Sequence, residues 1–290
     1  MRLAIHLQNL GLRLLLPCLA ASLLAQVPNG GGSPAPVLLP AKADPEAFPR
    51  LPRLLVRDTV RVVTRPADWE ASDWKQLGLG AVAVLGAGLA LDAPLDRAFA
   101  RNARPAWANL AKNVEFLGGT GSLIIAGGVY LGGAALKNPE LRAVGIDAGM
   151  AMVIAQLALT MPLKVLVGRS RPSAGEGSSQ FKPLSGGQSF PSGHTTQAFV
   201  LASVISAHAD QPWVTGVSYS LATLVGVARM ERRAHFLSDV LGGAAIGTFV
   251  GREVVHFNQS LRSSAKGGVK VSFQPVVGAD YQGATLRVTF

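Results

Sequence analysis

Three short stretches of the sequence place cations and histidines beside apolar segments. They are KVLVGRSRP, which contains Lys164 and Arg171, PSGH, which spans residues 191–194, and RMERRAHFLSD, which contains Arg229, His235 and Asp239. Ammonium and guanidinium groups bind the oxygens of a phosphoryl group, and arginine can do so with two parallel hydrogen bonds. A charge at the end of an apolar helix is costly unless it is paired or used. We therefore expect the three stretches to meet at one anion-binding site.

The tetrapeptide PSGH predicts the start of a helix, with Ser192 as the capping residue. The backbone N–H groups of Ser192, Gly193 and His194 would then lie at a helix N-terminus, where anions bind. Gly193 would also let the backbone approach a ligand closely. In the third stretch His235 and Asp239 are four residues apart, so on a helix the carboxylate can meet the imidazole.

Each stretch has an ordinary explanation when it is taken alone. Basic residues commonly flank membrane spans, and a serine often caps a helix. Taken together, the stretches supply complementary cations, imidazoles and a carboxylate at helix ends, which favours a functional site. Other charged residues stay open to two interpretations. Asp147 could face the interior of a helix bundle, His208 is expected in a solvated loop, and Arg169, Arg232 and Arg233 could meet a phosphate headgroup or be solvated flanking charges.

The three stretches resemble the motifs of the type 2 phosphatidic acid phosphatase superfamily, which also contains bacterial class A acid phosphatases and vanadium haloperoxidases. The pattern of that superfamily, K-x6-R-P, then P-S-G-H, then S-R-x5-H-x3-D, is present in order, except that Ala228 stands in place of the serine. Membrane members also often carry glycine at the position of Arg233.

The resemblance implies a role for each matched residue. His235 would attack phosphorus and form a phosphohistidine, Asp239 would orient its ring, and His194 would protonate the leaving group. The phosphate-binding residues would be Lys164, Arg171, Ser192, Gly193 and Arg229. No metal and no other cofactor is expected. The substrate would be a lipid phosphate or diphosphate, with three alternatives: a secreted acid phosphatase of broad specificity, a vanadium haloperoxidase, or an inactive membrane scaffold.

The composition favours a membrane protein. Hydrophobic residues make up 49% of the 290 residues and charged residues 15%, against a usual charged share of roughly 25%. The net charge of +10 fits basic loops beside anionic lipid headgroups. Nucleic-acid binding is not expected, since the basic residues are dispersed and aromatic residues make up only 6%. A lone cysteine, Cys18, excludes an intramolecular disulfide.

Six segments contain no Asp, Glu, Lys or Arg and are rich in glycine and alanine, namely 76–91, 116–136, 148–163, 183–209, 211–228 and 240–251. Small residues allow the close helix packing that is typical of membrane proteins. The segments predict six helices, and the resemblance implies that they form an all-α, membrane-embedded six-helix bundle of the type 2 phosphatidic acid phosphatase kind, with a short C-terminal β-hairpin.

The chain divides into four predicted segments. Residues 1–25 resemble a signal peptide, and residues 26–71 form a Pro/Gly-rich linker with a short interfacial helix. Residues 72–257 form the helical core. The hydrophobic alternation in residues 258–290 is typical of a β-hairpin tail.

The expected location is the cytoplasmic membrane, with the site facing the periplasm or exterior. Six crossings would place more basic residues on the face away from the three motifs, which favours this orientation. A cleaved signal peptide would instead put residues 26–75 outside, and six crossings would then turn the site inward. A soluble or peripheral periplasmic bundle is therefore the alternative.

Overall fold

The computed structural model describes residues 51–101, 105–266, 270–277 and 282–289, so the predicted signal segment and most of the linker lie outside the described residues. The helices are α1 Leu51–Thr64, α2 Ala71–Ala90, α3 Asp92–Arg101, α4 Pro105–Glu115, α5 Thr120–Ala135, α6 Pro139–Ile154, α7 Met161–Val167, α8 Gly193–Ala209, α9 Pro212–Glu231 and α10 Leu237–Lys266. A π-helical turn, Ala155–Thr160, makes α6 and α7 one continuous run.

Six helical passes form the bundle: α2, α5, the α6–α7 run, α8, α9 and α10. At one end the passes are joined by the connection that carries α3 and α4 and by the loops 168–192 and 232–236. This end holds the three sequence motifs and is called the motif end. Short turns at 136–138 and 210–211 join them at the opposite end. Each of the six charge-free segments overlaps one of these passes, so the prediction of an all-α six-helix bundle is confirmed for the part of the chain that the structure describes.

Glycines on α10 let it pack directly against α8. A Cβ added at Gly247 would overlap the backbone oxygen of Thr196, and one added at Gly251 would overlap the hydroxyl of Ser203. Such close contact explains why these small residues occur on a helix that is otherwise apolar. It fixes the first turns of α8 and α10, which carry the second and third motifs, side by side at the motif end.

One helical run is long and apolar enough to cross a membrane. It is Pro139–Val167, with a mean hydropathy of 1.9 in its most apolar part. Two bent pairs qualify if each is counted as one span, namely Ala71–Ala90 with Asp92–Arg101 and Asn109–Gly118 with Thr120–Ala135. The described residues thus hold one candidate span or up to three, which is fewer than the six passes. The helix α8 has only 17 residues, which is short for a span, and it carries buried hydroxyls, Thr195, Thr196 and Ser203 among them.

A buried polar cluster, here called the α1 anchor, ties α1 to the bundle far from the motif end. The Nδ2 group of Asn258 donates to Asp58 at 3.0 Å and to Asp147 at 2.9 Å. Arg262 binds both oxygens of Asp147, and His208 Nε2 lies 2.8 Å from the same carboxylate. Asp147 therefore faces the bundle interior. The expectation for His208 was wrong, because this residue lies in the last turn of α8 and is paired.

Two strands follow α10. They are β1 Lys270–Val277 and β2 Gln282–Thr289, and they pair in antiparallel register with Val271 opposite Val288 and Phe273 opposite Leu286.

Candidate active site

The second motif starts α8 as its sequence predicts. Ser192 is the N-cap, and its side-chain oxygen accepts hydrogen bonds from the N–H and the hydroxyl of Thr195. The N–H of Ser192 itself donates to the backbone oxygen of Asp239 at 3.0 Å, so it is engaged by the fold and differs in this respect from the expected anion donor. Gly193 and His194 are the first two residues of the helix, where backbone N–H groups have no partner within the helix.

His235 is buried, and its imidazole is oriented by a backbone carbonyl. Its Nδ1 lies 2.6 Å from the backbone oxygen of Ser189. A carbonyl can only accept, so Nδ1 carries the proton and the lone pair is on Nε2. Asp239 Oδ2 lies 3.8 Å from Nδ1, so the expected direct contact between carboxylate and ring is replaced by an electrostatic one. Burial lowers the pKa of His235, and the charge of Asp239 partly opposes this effect. The lowered pKa keeps the ring neutral near pH 7.

Asp239 is held by donors from three parts of the chain. Arg169 Nη1 donates to Oδ1 at 2.6 Å, while the Ser189 hydroxyl and the Phe236 N–H donate to Oδ2 at 2.5 and 2.8 Å. Ser189 therefore contacts both members of the pair, His235 through its carbonyl and Asp239 through its hydroxyl. This arrangement fixes the spacing between imidazole and carboxylate.

Arg169 is buried in the fold and does not meet a headgroup or solvent. Besides Asp239 it binds Asp92 at 2.8 Å, and its guanidinium carbon lies 4.3 Å from the centre of the Phe236 ring. Asp92 also accepts from the N–H and hydroxyl of Ser238. These four polar residues, Arg169, Asp92, Ser238 and Asp239, are called the Arg169 network below. The network joins the end of α2 to the start of α10.

His194 packs against the turn before α5. A Cβ added at Gly119 would lie 2.9 Å from His194 Nε2, so glycine makes room for the ring. Burial and, to a smaller extent, the nearby charge of Arg229 lower the pKa of His194 to about 4, while the charge of Glu115 acts in the opposite direction. The imidazole is therefore neutral at pH 7 beside these cations.

The predicted cations have different surroundings. Lys164 Nζ donates to the backbone oxygen of Gln188 at 2.5 Å. Arg171 is exposed and lines an open cleft of about 360 Å³ together with Gln188. Arg229 is buried, its Nη1 binds Glu115, and its Nε has no hydrogen-bond partner.

Arg232 and Arg233 are paired with carboxylates. Arg232 shares Glu115 with Arg229, and Arg233 binds both oxygens of Asp96. Arg233 also has a φ of +49°, in the left-handed region. Its N–H donates to Met230 and the next N–H donates to Arg229, which is the pattern of a Schellman helix end. Glycine is the usual residue at that position, which accounts for the glycine of the resembling membrane proteins. The structure gives no reason for Ala228 in place of serine.

Glu115, Asp92, Ser189 and Arg169 were not identified as site residues by the motifs. Glu115 directly precedes one charge-free segment and Asp92 directly follows another. A carboxylate at such a boundary is costly unless it is paired, so this placement was an available signal. Within the described residues no group of three or more His, Cys, Asp or Glu side chains is arranged to hold a metal ion.

Comparison with known proteins gives a family match over the same region. Residues 146–263, which contain all three motifs, match the model of the PAP2 superfamily, and the resemblance noted in the sequence is confirmed. Lipid A 1-phosphatase of Porphyromonas gingivalis is 40% identical over 65 residues, which are 22% of this chain and 15% of that protein. The aligned part is thus a small fraction of the relative.

A solved structure is also similar. It is the crystal structure of the first transmembrane PAP2 type phosphatidylglycerolphosphate phosphatase from Bacillus subtilis, with a TM-score of 0.44 and 17% sequence identity. The match covers 73% of this chain and 96% of that one.

Proposed function

Because residues 146–263 match the model of the PAP2 superfamily, we propose that this chain is a metal-independent phosphatase that hydrolyses a lipid phosphate or diphosphate through a phosphohistidine. The observation that carries the proposal is the orientation of His235. Its Nδ1 proton is held by the Ser189 carbonyl, so the Nε2 lone pair is left for attack. Its lowered pKa keeps that lone pair unprotonated.

In the first half of the reaction, His235 Nε2 forms a bond to phosphorus while the bond from phosphorus to the leaving oxygen breaks. His194 gives its proton to that oxygen, which departs as an alcohol or a phosphate. The imidazolium that forms on His235 keeps the hydrogen bond from Nδ1–H to the Ser189 carbonyl and is stabilised by the negative charge of Asp239, 3.8 Å from Nδ1. Lys164, Arg171 and Arg229, with the N–H groups of Gly193 and His194, stabilise the oxygens of the transferred group.

In the second half, water attacks phosphorus and the bond from phosphorus to Nε2 breaks. His194, now neutral, accepts a proton from the water, and His235 recovers its lone pair. Inorganic phosphate is released, and both histidines return to their starting protonation states.

His194 must be protonated to act as the acid in the first half. Its pKa of about 4 in the protein would leave it neutral at pH 7. A bound phosphate dianion would raise this pKa, because a nearby negative charge favours the charged imidazolium. Substrate binding would therefore favour the protonated His194 that the first half of the reaction needs.

Lipid is the preferred substrate class because the bundle surface is apolar. Large side chains on several passes are exposed, among them Leu79, Leu89 and Leu221. The run Pro139–Val167 could cross a membrane and would end with Lys164 at the motif end. The Lipid A 1-phosphatase named above acts on a lipid by its name, which agrees with a lipid substrate.

The orientation we propose places the motif end outside the cytoplasm. Helix α1 lies at the other end and carries Arg53, Arg57 and Arg61, and Arg65 follows it directly. Basic residues are retained on the cytoplasmic side of membranes, so this arginine-rich end would face inward.

A broad-specificity acid phosphatase in the periplasm is the second candidate. It is favoured by the small number of candidate spans among the described residues, where Pro139–Val167 alone qualifies without a bend. The open cleft beside Arg171 could admit a soluble phosphate ester.

The test is phosphate release in excess chelator from phosphatidate, undecaprenyl diphosphate and p-nitrophenyl phosphate. Wild-type protein in detergent would be compared with His235→Ala, whose fold is checked by circular dichroism. We expect lipid substrates to be hydrolysed by the wild type and the variant to lose at least about 10³-fold in turnover.

The other outcomes separate the alternatives. Release from the soluble ester alone would favour the acid phosphatase. Loss of activity in chelator would refute metal independence. Equal activity in the His235→Ala variant would refute the phosphohistidine mechanism, and no release by folded wild-type protein would favour an inactive scaffold.

A further inference from the structure

We propose that Glu115, at the end of α4, is a positioning residue of this site that holds Arg229 with one donor left for the substrate and places a negative charge near His194. The proposal rests on the phosphatase function above. Glu115 lies outside the three motifs and outside residues 146–263, so neither the motif pattern nor the family match assigns it.

The carboxylate of Glu115 is shared between two arginines of different exposure. One oxygen accepts from Nη1 of Arg229, whose side chain is 10% exposed, and the other accepts from Nη1 of Arg232, which is 42% exposed. Glu115 itself is 14% exposed. Arg232 thus lies at the rim, while Glu115 and Arg229 lie inside.

The ion pair fixes which edge of the Arg229 guanidinium is left for a ligand. Glu115 takes the Nη1 corner, and the Nε–H lies on another edge of the same planar group. Arg229 Nε is buried and has no hydrogen-bond partner in the protein. A buried donor of this kind is costly unless something accepts from it, and an oxyanion is the acceptor that guanidinium binds best. Glu115 therefore holds Arg229 with its unpaired donor available to substrate.

The charge of Glu115 also acts on His194. The charged and titratable groups around this imidazole are Arg229 from α9, Lys164 from α7, His235 from the loop before α10, and Glu115 from α4. Arg229, His235 and Lys164 lower the pKa of His194, and Glu115 is the member of this set that raises it. Removing its charge would weaken the hold of His194 on the proton that the leaving group needs.

Two substitutions separate the effect of the charge of Glu115 from the effect of its side-chain length. Glu115→Gln keeps the size and removes the charge, whereas Glu115→Asp keeps the charge and shortens the side chain. Glu176→Gln is the matched control, because Glu176 is an exposed carboxylate that binds Ser170 and Lys182 instead of Arg229.

The first measurement is the pKa of His194 by NMR of ¹⁵N-histidine-labelled protein in detergent with saturating inorganic phosphate. The signal is assigned with His194→Gln. We expect Glu115→Gln to lower this pKa by about one unit, and Glu115→Asp and Glu176→Gln to leave it within about 0.3 units of wild type. An unchanged pKa in folded Glu115→Gln would overturn the proposal.

The second measurement is kcat and KM against pH. Activity that needs protonated His194 falls as the pH rises through its pKa in the complex, so Glu115→Gln should move the basic limb of kcat to lower pH by the same shift. Glu115→Asp should keep the limb and raise KM about tenfold, because Arg229 is displaced. A uniform loss of kcat at every pH in both variants would mean a merely structural role.

Failure of the phosphatase function is distinguishable from failure of this inference. If no substrate is hydrolysed but phosphate binds and the pKa of His194 falls in Glu115→Gln, the function is wrong and the role of Glu115 stands. If phosphate is released but neither the pKa nor the pH limb moves, the function stands and the inference is wrong.

Discussion

Replacing Arg169 with methionine should destabilise the fold more than replacing any exposed arginine. Arg169 is 3% exposed and bridges two buried carboxylates, Asp92 at 2.8 Å and Asp239 at 2.6 Å. Methionine fills similar space but leaves both carboxylates without their cation. Asp239 would keep Ser189 and Phe236 as donors, and Asp92 would keep Ser238.

The expected loss follows from the cost of an uncompensated buried charge. Breaking a buried ion pair by removing one partner costs about 3–5 kcal/mol. The guanidinium also stacks on Phe236 at 4.3 Å, a contact worth about 1 kcal/mol. For a bundle of this size the sum corresponds to a fall in Tm of roughly 10 °C or more. Turnover should fall as well in protein kept below the transition, since Asp239 loses a positioning partner.

Thermal unfolding followed by circular dichroism in detergent measures the effect. Arg53→Met is the matched control, since Arg53 is exposed on α1, and it should change stability by less than about 0.5 kcal/mol. Arg169→Lys should fall between, because one ammonium group cannot reproduce the forked contacts to both carboxylates. Asp92→Asn combined with Arg169→Met should lose about 1–3 kcal/mol less than the sum of the single losses.

Two outcomes would refute this reasoning. One is an Arg169→Met variant that melts within about 2 °C of wild type. The other is strict additivity in the double variant, which would show that Asp92 and Arg169 are not coupled.

Two further predictions concern α1 and the end of α9. Burial raises the pKa of Asp58 from its ordinary 3.8 to about 7. The folded state therefore binds this proton more tightly than the unfolded state, and the free energy of unfolding should fall by about 2 kcal/mol between pH 5 and 7. In denaturant titrations Asp58→Asn should flatten this pH dependence, and an unchanged pH dependence would contradict the raised pKa. At Arg233, with φ of +49°, glycine should give a more stable variant than alanine by about 1 kcal/mol, and an Arg233→Ala variant as stable as Arg233→Gly would argue against backbone strain.

The bundle and its motifs could be predicted because their signals are local. Each charge-free segment predicts a helix from its own residues, without information about the segments that pack against it. The cap at Ser192 is set by the residues that immediately follow it. Asp239 lies in the first turn of α10, whereas His235 lies in the loop just before it, so the spacing of the two residues predicted their proximity but not a shared helix. Features of this kind depend on residues that are close together in the chain, so the sequence alone predicts them.

The partners of the site residues depend on packing between distant segments. Arg169 meets Asp92 across 77 positions of the chain, and Arg229 meets Glu115 across 114. The Ser189 carbonyl replaces Asp239 as the direct acceptor from His235 because the loop before α8 folds over that ring. Backbone groups are the same at every residue, so no side-chain pattern could mark this one. The sequence thus determines which reactive groups are present, while the packing of the helices and loops determines which hydrogen-bond or ion-pair partner each group has.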